Sequence, residues 1–387
     1  MTPERIVING NGVDRVLSIY GAIHAVGFYF AENVAIEQGA YCSIVCDNDT
    51  IGKYNIHMNN KPVNSVFILF EDLKLPKDNT YKIEVPSRFV HSAIDTEKQA
   101  SNMSFEFVVP DKFSANEINK GDVLTLKQAD EQTFYYNNET MPFDDARMIL
   151  YREGKPIMEF PILAEDCKLD FDIGKATCRF GRTLNFERGV SYTIVMPEGV
   201  VHHPERDDIV NTEETQKILG AYDKTILPLV CQSSRCELRG EAIGNVEFTF
   251  TDSVALTPNA VVQLLDAGGE VVCEKRPTLS VLGKKKEVLA TLTADFSDVS
   301  VVPNSNYTIC LPEATVVSTG SDIRVNSRYA REVSGDDTAV DGVEADGTQT
   351  VTDVYTLSGV KTNVLTRGVN IVKLGNGKVV KVNALGK

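Results

Sequence analysis

Tryptophan is absent from the 387-residue chain, and histidine occurs only five times. The first absence removes the commonest platform on which proteins stack sugar rings. The second leaves little material for zinc sites or imidazole acid–base chemistry. No apolar run approaches the roughly 20 residues that a membrane-crossing helix needs. The opening MTPERIVINGNG lacks the basic patch and apolar stretch of an export signal. Paired CxxC spacings, GxSxG and HExxH are also missing, which argues against zinc ribbons, nucleophile elbows and zinc hydrolases. Positive charge is in deficit: 39 Lys and Arg stand against 54 Asp and Glu, for a net charge of -15. Such a surface repels phosphate backbones and anionic lipid headgroups, so nucleic acid is not an expected partner. The longest basic cluster, Lys284, Lys285 and Lys286 after Gly283, reads as a solvated hairpin tip.

What is present is ordinary globular material, with 42% apolar and 24% charged residues and a mean hydropathy of -0.13. The length suits three or four domains of about 100 residues each. Eight cysteines (Cys42, Cys46, Cys167, Cys178, Cys231, Cys236, Cys273 and Cys310) leave two readings open. They are buried apolar thiols, or they form local bridges such as Cys167 with Cys178 and Cys231 with Cys236 in an oxidising compartment.

One pattern occurs three times. An aromatic alternating strand, a short polar turn and a second strand begin at Val26 (VGFYFAENVAIEQGAYCSIV), Gln132 (QTFYYNNETMPFDDARMILY) and Val246 (VEFTFTDSVALTPNAVVQLL). Each copy then closes with a second block, in which Phe70, Phe180 and Phe296 stand 11, 12 and 11 residues before Tyr81, Tyr192 and Tyr307. The tyrosines open the strands YKIEV, YTIVM and YTICL, each ended by a proline (Pro86, Pro197, Pro312) that cannot donate to a ladder. Period two places Phe28 and Phe30, Phe134 and Tyr136, and Phe248 and Phe250 in the core, with Tyr29, Tyr135 and Thr249 facing out. Leu73 and Leu75, Leu184 and Phe186, and Val299 and Val301 are expected to line the opposite sheet. One short helix is predicted over residues 211–219, NTEETQKIL, from its capping residues and early acids.

Short strands separated by Gly, Asn, Asp and Pro, in units near 110 residues, predict an all-β chain. It is expected to form three tandem immunoglobulin-like β-sandwiches (1–111, 112–225 and 226–335), a linker (336–348) and a small C-terminal β-domain (349–387). The units resemble the bacterial immunoglobulin-like domains that occur in series on surface and S-layer-type proteins. The tail resembles the C-terminal sorting domain of Bacteroidetes proteins exported by the type IX system. Its pattern falls on Val354, Tyr355, Leu357 and Gly359, then Gly368, then the basic strand from Val379. That resemblance implies secretion to the outer-membrane exterior, the secretion machinery as a partner, and an export signal ahead of Met1. It also makes the linker triplet Asp337-Thr338-Ala339 a candidate O-glycosylation site.

The cluster from His202 to Asp208, HHPERDD, collects metal-ligand types, but adjacent histidines on an extended chain point to opposite faces. A solvated loop is the expected reading. Residues 46–50, CDNDT, lack the glycine and distal glutamate of a calcium loop and read as a hairpin tip. With no catalytic set, no metal and no cofactor expected, the chain reads as a non-catalytic structural or adhesive surface module. The alternative is a carbohydrate-binding module that stacks sugars on Tyr29 and Tyr135, or a partner surface that engages host protein. A fragment of a secreted hydrolase is the third reading.

Overall fold

The computed structural model describes the chain apart from residues 10, 13–16, 57–62, 117–121, 171–172, 240–241, 283–288, 303–304, 334–350, 357–360, 363–367, 375–378 and 385–387. The lysine cluster at 284–286, the linker with its triplet, and Leu357 and Gly359 therefore lie outside the described residues.

Alternating burial builds strands that pair into three sandwiches. In the first, one sheet runs Asn11–Gly12, Arg5–Ile8, Ile23–Ile36, Val63–Leu73. The other runs Leu17–Ser18, Met103–Val109, Asn79–Val85, Tyr41–Cys46, Asp49–Asn55. The chain thus starts antiparallel in one sheet and, at Leu17–Ser18, switches to lie parallel to the closing strand of the other. In the second, Leu124–Leu126 makes the same parallel pairing with its closing strand Glu214–Gly220, followed by Ser191–Met196, Arg147–Arg152 and Lys155–Pro161. Gln128–Tyr136, Ile173–Asn185 and Cys167–Asp170 face them. The third pairs Ser233–Arg239, Ala242–Phe250, Leu289–Asp295 and Thr278–Leu282 against Val271–Lys275, Val262–Leu265, Tyr307–Leu311 and Tyr329–Val333. This strand order defines three immunoglobulin-like sandwiches in tandem. A four-stranded sheet follows, in the order Lys361–Thr362, Val351–Thr356, Gly368–Leu374, Val379–Ala384.

The aromatic strands supply each core: Phe28, Phe30, Phe134, Tyr136, Phe248 and Phe250 are all buried. The repeat tyrosines fasten the crossover between sheets. Tyr81 Oη donates to Pro76 O at 2.6 Å, and Tyr192 Oη and Tyr307 Oη accept from the Glu187 and Val302 amides at 3.2 and 2.9 Å. In each case the bond reaches back five residues, the tyrosine corner of this fold class.

Two expectations are corrected. Residues 211–219 contain no helix; they end the strand Arg206–Asn211 and continue into Glu214–Gly220. Period two was masked because the inward positions hold Glu214 and Gln216. Both are buried and satisfied, Glu214 by the Ala115 amide at 2.6 Å and Gln216 by Asp122 O at 3.0 Å. Leu73 and Leu184 lie on strands that pair with the aromatic strands, hence in the same sheet rather than the opposite one. Leu75 and Phe186 follow them in the crossover, and Val299 and Val301 occupy the matching segment of the third sandwich. The alternation continues through a change of sheet, and spacing alone does not register that change.

After each proline the chain makes the same turn. Arg88, Gly199 and Ala314, two residues on, hold φ of 67°, 76° and 60°, and their amides donate to Ala100, Asn211 and Asn326 carbonyls. A hairpin follows. In the second and third sandwiches a buried asparagine fills its throat. Asn211 Oδ1 accepts from the Val200 and Val201 amides at 3.0 and 2.9 Å, and its Nδ2 donates to Pro197 O and Thr212 O at 2.8 and 2.6 Å. Asn326 accepts from the Val316 amide at 2.8 Å and donates to Pro312 O and Ser327 O at 2.7 and 2.9 Å. Asn211→Ala strips partners from buried backbone groups and is expected to lower stability by about 1–3 kcal/mol, read as a shifted urea midpoint at unchanged slope.

Candidate functional site

The post-proline hairpins of the second and third sandwiches project onto the sandwich before them. In the second sandwich the hairpin tip is the HHPERDD segment. Glu205 Oε2 accepts from the Ala22 amide at 2.7 Å, and Glu205 Oε1 lies 2.8 Å from His24 Nε2. The buried Arg206 donates to Leu75 O at 2.6 Å and holds Asp208 through Nε and one terminal nitrogen at 2.8 and 2.7 Å. Lys77 donates to Asp208 O. Gly21 leaves the space that these side chains fill, since a Cβ there would stand 2.5 Å from Glu205 Oε2 and 2.6 Å from His203 Cε1 and would oblige them to shift. The segment is therefore a docked joint and not the solvated loop expected of it. Its partners lie some 130 to 180 residues earlier in the chain, beyond any local pattern.

The two histidines do diverge. His202 packs against Phe143 with ring centroids 4.4 Å apart, while His203 Nδ1 accepts the Glu205 amide at 3.2 Å. Among the described residues no group of three or more His, Cys, Asp and Glu is placed to hold a metal. Burial holds the His203 imidazole below its ordinary range. Hydrogen bonding to Glu205, and then to Asp72, lifts His24 above its own. For Glu205, burial pulls upward, but the Ala22 amide and His24 outweigh it and the carboxyl lies below its usual value.

The second joint uses the same parts. Asn185, at the base of the second sandwich, donates its amide to Ser321 O at 2.9 Å and its side-chain nitrogen to Asp322 on the third sandwich's hairpin. Lys155 pairs with Glu313 at 2.6 Å. Val317, Ile323 and Val325 of that hairpin join the core of the first two sandwiches rather than their own. On the first sandwich the corresponding hairpin carries Ile94 at its tip, 91% exposed.

Tyr29 and Tyr135, the proposed sugar platforms, sit in different surroundings. Tyr29 lies on the outer face of its sheet, with Arg5 and Ser65 as cross-strand neighbours. Its ring meets Phe67 edge-on at 5.7 Å, and the Arg5 guanidinium stands 5.9 Å from its centroid. Phe67 lies flat across Gly27, where a Cβ would come within 2.6 Å of the ring. Phe67 and Leu69 are 37% and 63% exposed, so this face is apolar and open. Tyr135 is half-buried opposite Lys175, beside the hydroxyl pair Thr133 and Thr177 at 2.8 Å. Phe67 carries no sequence signal of its own, because an outward aromatic in VFILF alternates with the inward Val66, Ile68 and Phe70 like any strand-surface residue.

Of the sorting-type residues, Val354 is buried in Val351–Thr356 opposite Val372, with the half-buried Tyr355 opposite Ile371. Gly368 and Val379 open the next two strands, and Val379 pairs with Lys373. No helix among the described residues is long and apolar enough to cross a membrane.

No family model and no curated protein matches the chain. The solved structures that match include tandem immunoglobulin-domain proteins. The titin fragment I67–I69 is 11% identical over 84% of this chain and 97% of its own, with a TM-score of 0.17. The N-terminal eight immunoglobulin domains of Down Syndrome Cell Adhesion Molecule are 11% identical over 98% of this chain and 54% of that one, with a TM-score of 0.16.

Cys167, Cys178 and Cys231 carry free thiols, so neither of the two local bridges forms. Burial pushes Cys42, Cys167, Cys178 and Cys231 up to about 12. A thiol reagent at pH 8 is expected to spare these four in the native protein, to reach the half-buried Cys46 and Cys273 first, and to label the four only on unfolding.

Proposed function

We propose that the chain is a non-catalytic, exported surface protein whose three sandwiches form a stiff structural or adhesive array. The observation that carries this is the repeated joint, in which the hairpin of each following sandwich locks onto the base of the one before it. Domains joined by linkers alone swing independently, whereas hydrogen-bonded, partly apolar joints transmit orientation from one unit to the next. The tail's likeness to sorting domains supports placement on the outer-membrane exterior, with the secretion machinery engaging the sheet that carries Val354, Tyr355, Gly368 and Val379. In small-angle scattering the full chain is expected to behave as an extended particle of one narrow maximum dimension. A double variant, Glu205→Ala with Asn185→Ala, is expected to broaden that distribution while leaving strand content intact. A compact globule, or a wild type as broad as the variant, would sink the array.

A second reading is favoured by one feature, the open Tyr29, Phe67 and Leu69 face of the first sandwich. Apolar rings set edge to face beside an arginine suit the apolar face and polar edge of a sugar. Aromatic contacts contribute about 0.5–1.5 kcal/mol each beyond area burial. On a glycan and host-matrix array, Phe67→Ala and Tyr29→Ala are each expected to weaken retention several-fold at unchanged melting temperature. Retention indifferent to both would place any ligand elsewhere.

A further inference from the structure

The joint between the first two sandwiches turns on one imidazole. His24 is the second residue of Ile23–Ile36, and each of its ring nitrogens faces a different carboxylate. Nδ1 lies 3.0 Å from Asp72 Oδ1, on the same sandwich, and Nε2 lies 2.8 Å from Glu205 Oε1, on the next. An ionised carboxylate only accepts hydrogen bonds, so both nitrogens must donate, and only the imidazolium has two N–H groups. A neutral ring would turn a lone pair toward one of the two anions. We propose that this joint is a proton-operated lock, in which protonated His24 bridges the first and second sandwiches and deprotonation loosens the Glu205 arm, leaving it held by the Ala22 amide alone.

The surroundings are arranged for that role. A register shift between Ile23 and Ala25 bulges the partner strand opposite His24, and Asp72, at φ 48°, is turned toward the ring. Asn9 fixes the backbone there without charge, accepting from the His24 and Ala25 amides at 2.8 and 3.2 Å and donating to Ala22 O at 2.7 Å. The charged groups that act on the joint from the first sandwich are Asp72 at the strand end, then Lys74 and Lys77 in the crossover. From the hairpin come Glu205, His203, Arg206, Asp207 and Asp208. Arg206 is engaged by Asp208 and Leu75 O, and Lys77 by Asp208 O, so these cations are committed elsewhere. His203 accepts at Nδ1, and burial holds its imidazole below the ordinary range. His24 is thus left as the cation between two anions. The Arg206 to Leu75, Lys77 to Asp208 and Ala22 to Glu205 contacts carry no group that titrates near neutrality, so they persist and the joint gains freedom to hinge without separating the sandwiches.

Docked His24 titrates above its ordinary 6.5, so its contribution to the joint is complete below that pH and disappears as pH rises through the docked value. Docked Glu205 titrates below its ordinary 4.5, so its contribution is present above 4.5 and is lost as pH falls through the lowered value. The joint is therefore tightest between these two ordinary values and loosens on the alkaline side first. The lock rests on the tandem arrangement alone and stands whether or not the array is adhesive.

The test uses the full chain. The imidazole C–H resonance of His24, assigned by its loss in His24→Gln, is followed through a pH titration. Scattering profiles are recorded at pH 5.5 and 8.5. The expected midpoint lies above 6.5 and falls in Glu205→Gln, each unit of elevation corresponding to a tenfold change in the docking equilibrium between acid and alkaline limits. The dimension distribution is expected to broaden at pH 8.5 in the wild type and to be insensitive to pH in His24→Gln. A midpoint at or below 6.5, a midpoint indifferent to Glu205→Gln, or a pH response that survives in His24→Gln would overturn the lock. Glu205→Gln is isosteric and keeps an acceptor for the Ala22 amide, so it tests the charge with little demand on folding.

Discussion

A proline has no amide hydrogen to give a ladder, and in each sandwich that missing donor ends the tyrosine strand at the same place. The chain must leave the sheet there. It does so through a residue in the left-handed region two positions later, held by a carbonyl across the hairpin. Arg88 and Ala314 accept this conformation as Gly199 does, because the hairpin bond fixes it. The hairpin that results stands proud of the sandwich end, and the joints between units are made from it. Without that turn the HHPERDD and STGSDIR segments would have no reason to reach the preceding sandwich.

What each hairpin does on arrival depends on the residues at its tip. The second sandwich brings charge, with Glu205 and Arg206 meeting an amide, an imidazole and a carbonyl. The third brings apolar surface, with Val317, Ile323 and Val325 merging into a core that is not their own. One backbone device therefore supports a joint built on an imidazole between two carboxylates and another in which apolar side chains merge into the neighbouring core. Glycine enters at the polar joint for a steric reason, as Gly21 leaves room for Glu205 and His203 where a Cβ would oblige both to shift. Gly27 makes the analogous allowance on the sheet face, letting the Phe67 ring lie down against its strand.

Much of the fold was legible because its signals are local. Phe28 and Phe30 alternate with Tyr29, and the 11- or 12-residue interval from Phe to Tyr measures one strand end, one crossover and one corner. The helix expected at 211–219 failed where a buried Glu214 and Gln216 imitated a solvent face, since a polar side chain with a partner inside a sandwich looks exposed to any hydrophobic period. The assignment of Leu184 to the opposite sheet failed for a different reason. Side-chain alternation reports which way a residue points relative to its own strand and says nothing of which sheet the strand belongs to.

The sequence by itself determined the strand content, the number of units, the buried aromatic positions and the points where prolines stop the ladders. All of these follow from period two and from the chemistry of single residues. Only the tertiary structure decided that a histidine-rich loop is a joint, that His24 stands between Asp72 and Glu205, and that Phe67 rather than Tyr135 accompanies Tyr29. Those facts depend on residues from tens to well over a hundred positions apart being brought within a hydrogen bond or a ring contact. No periodicity encodes such distances, because they are set by how one folded unit seats upon the next.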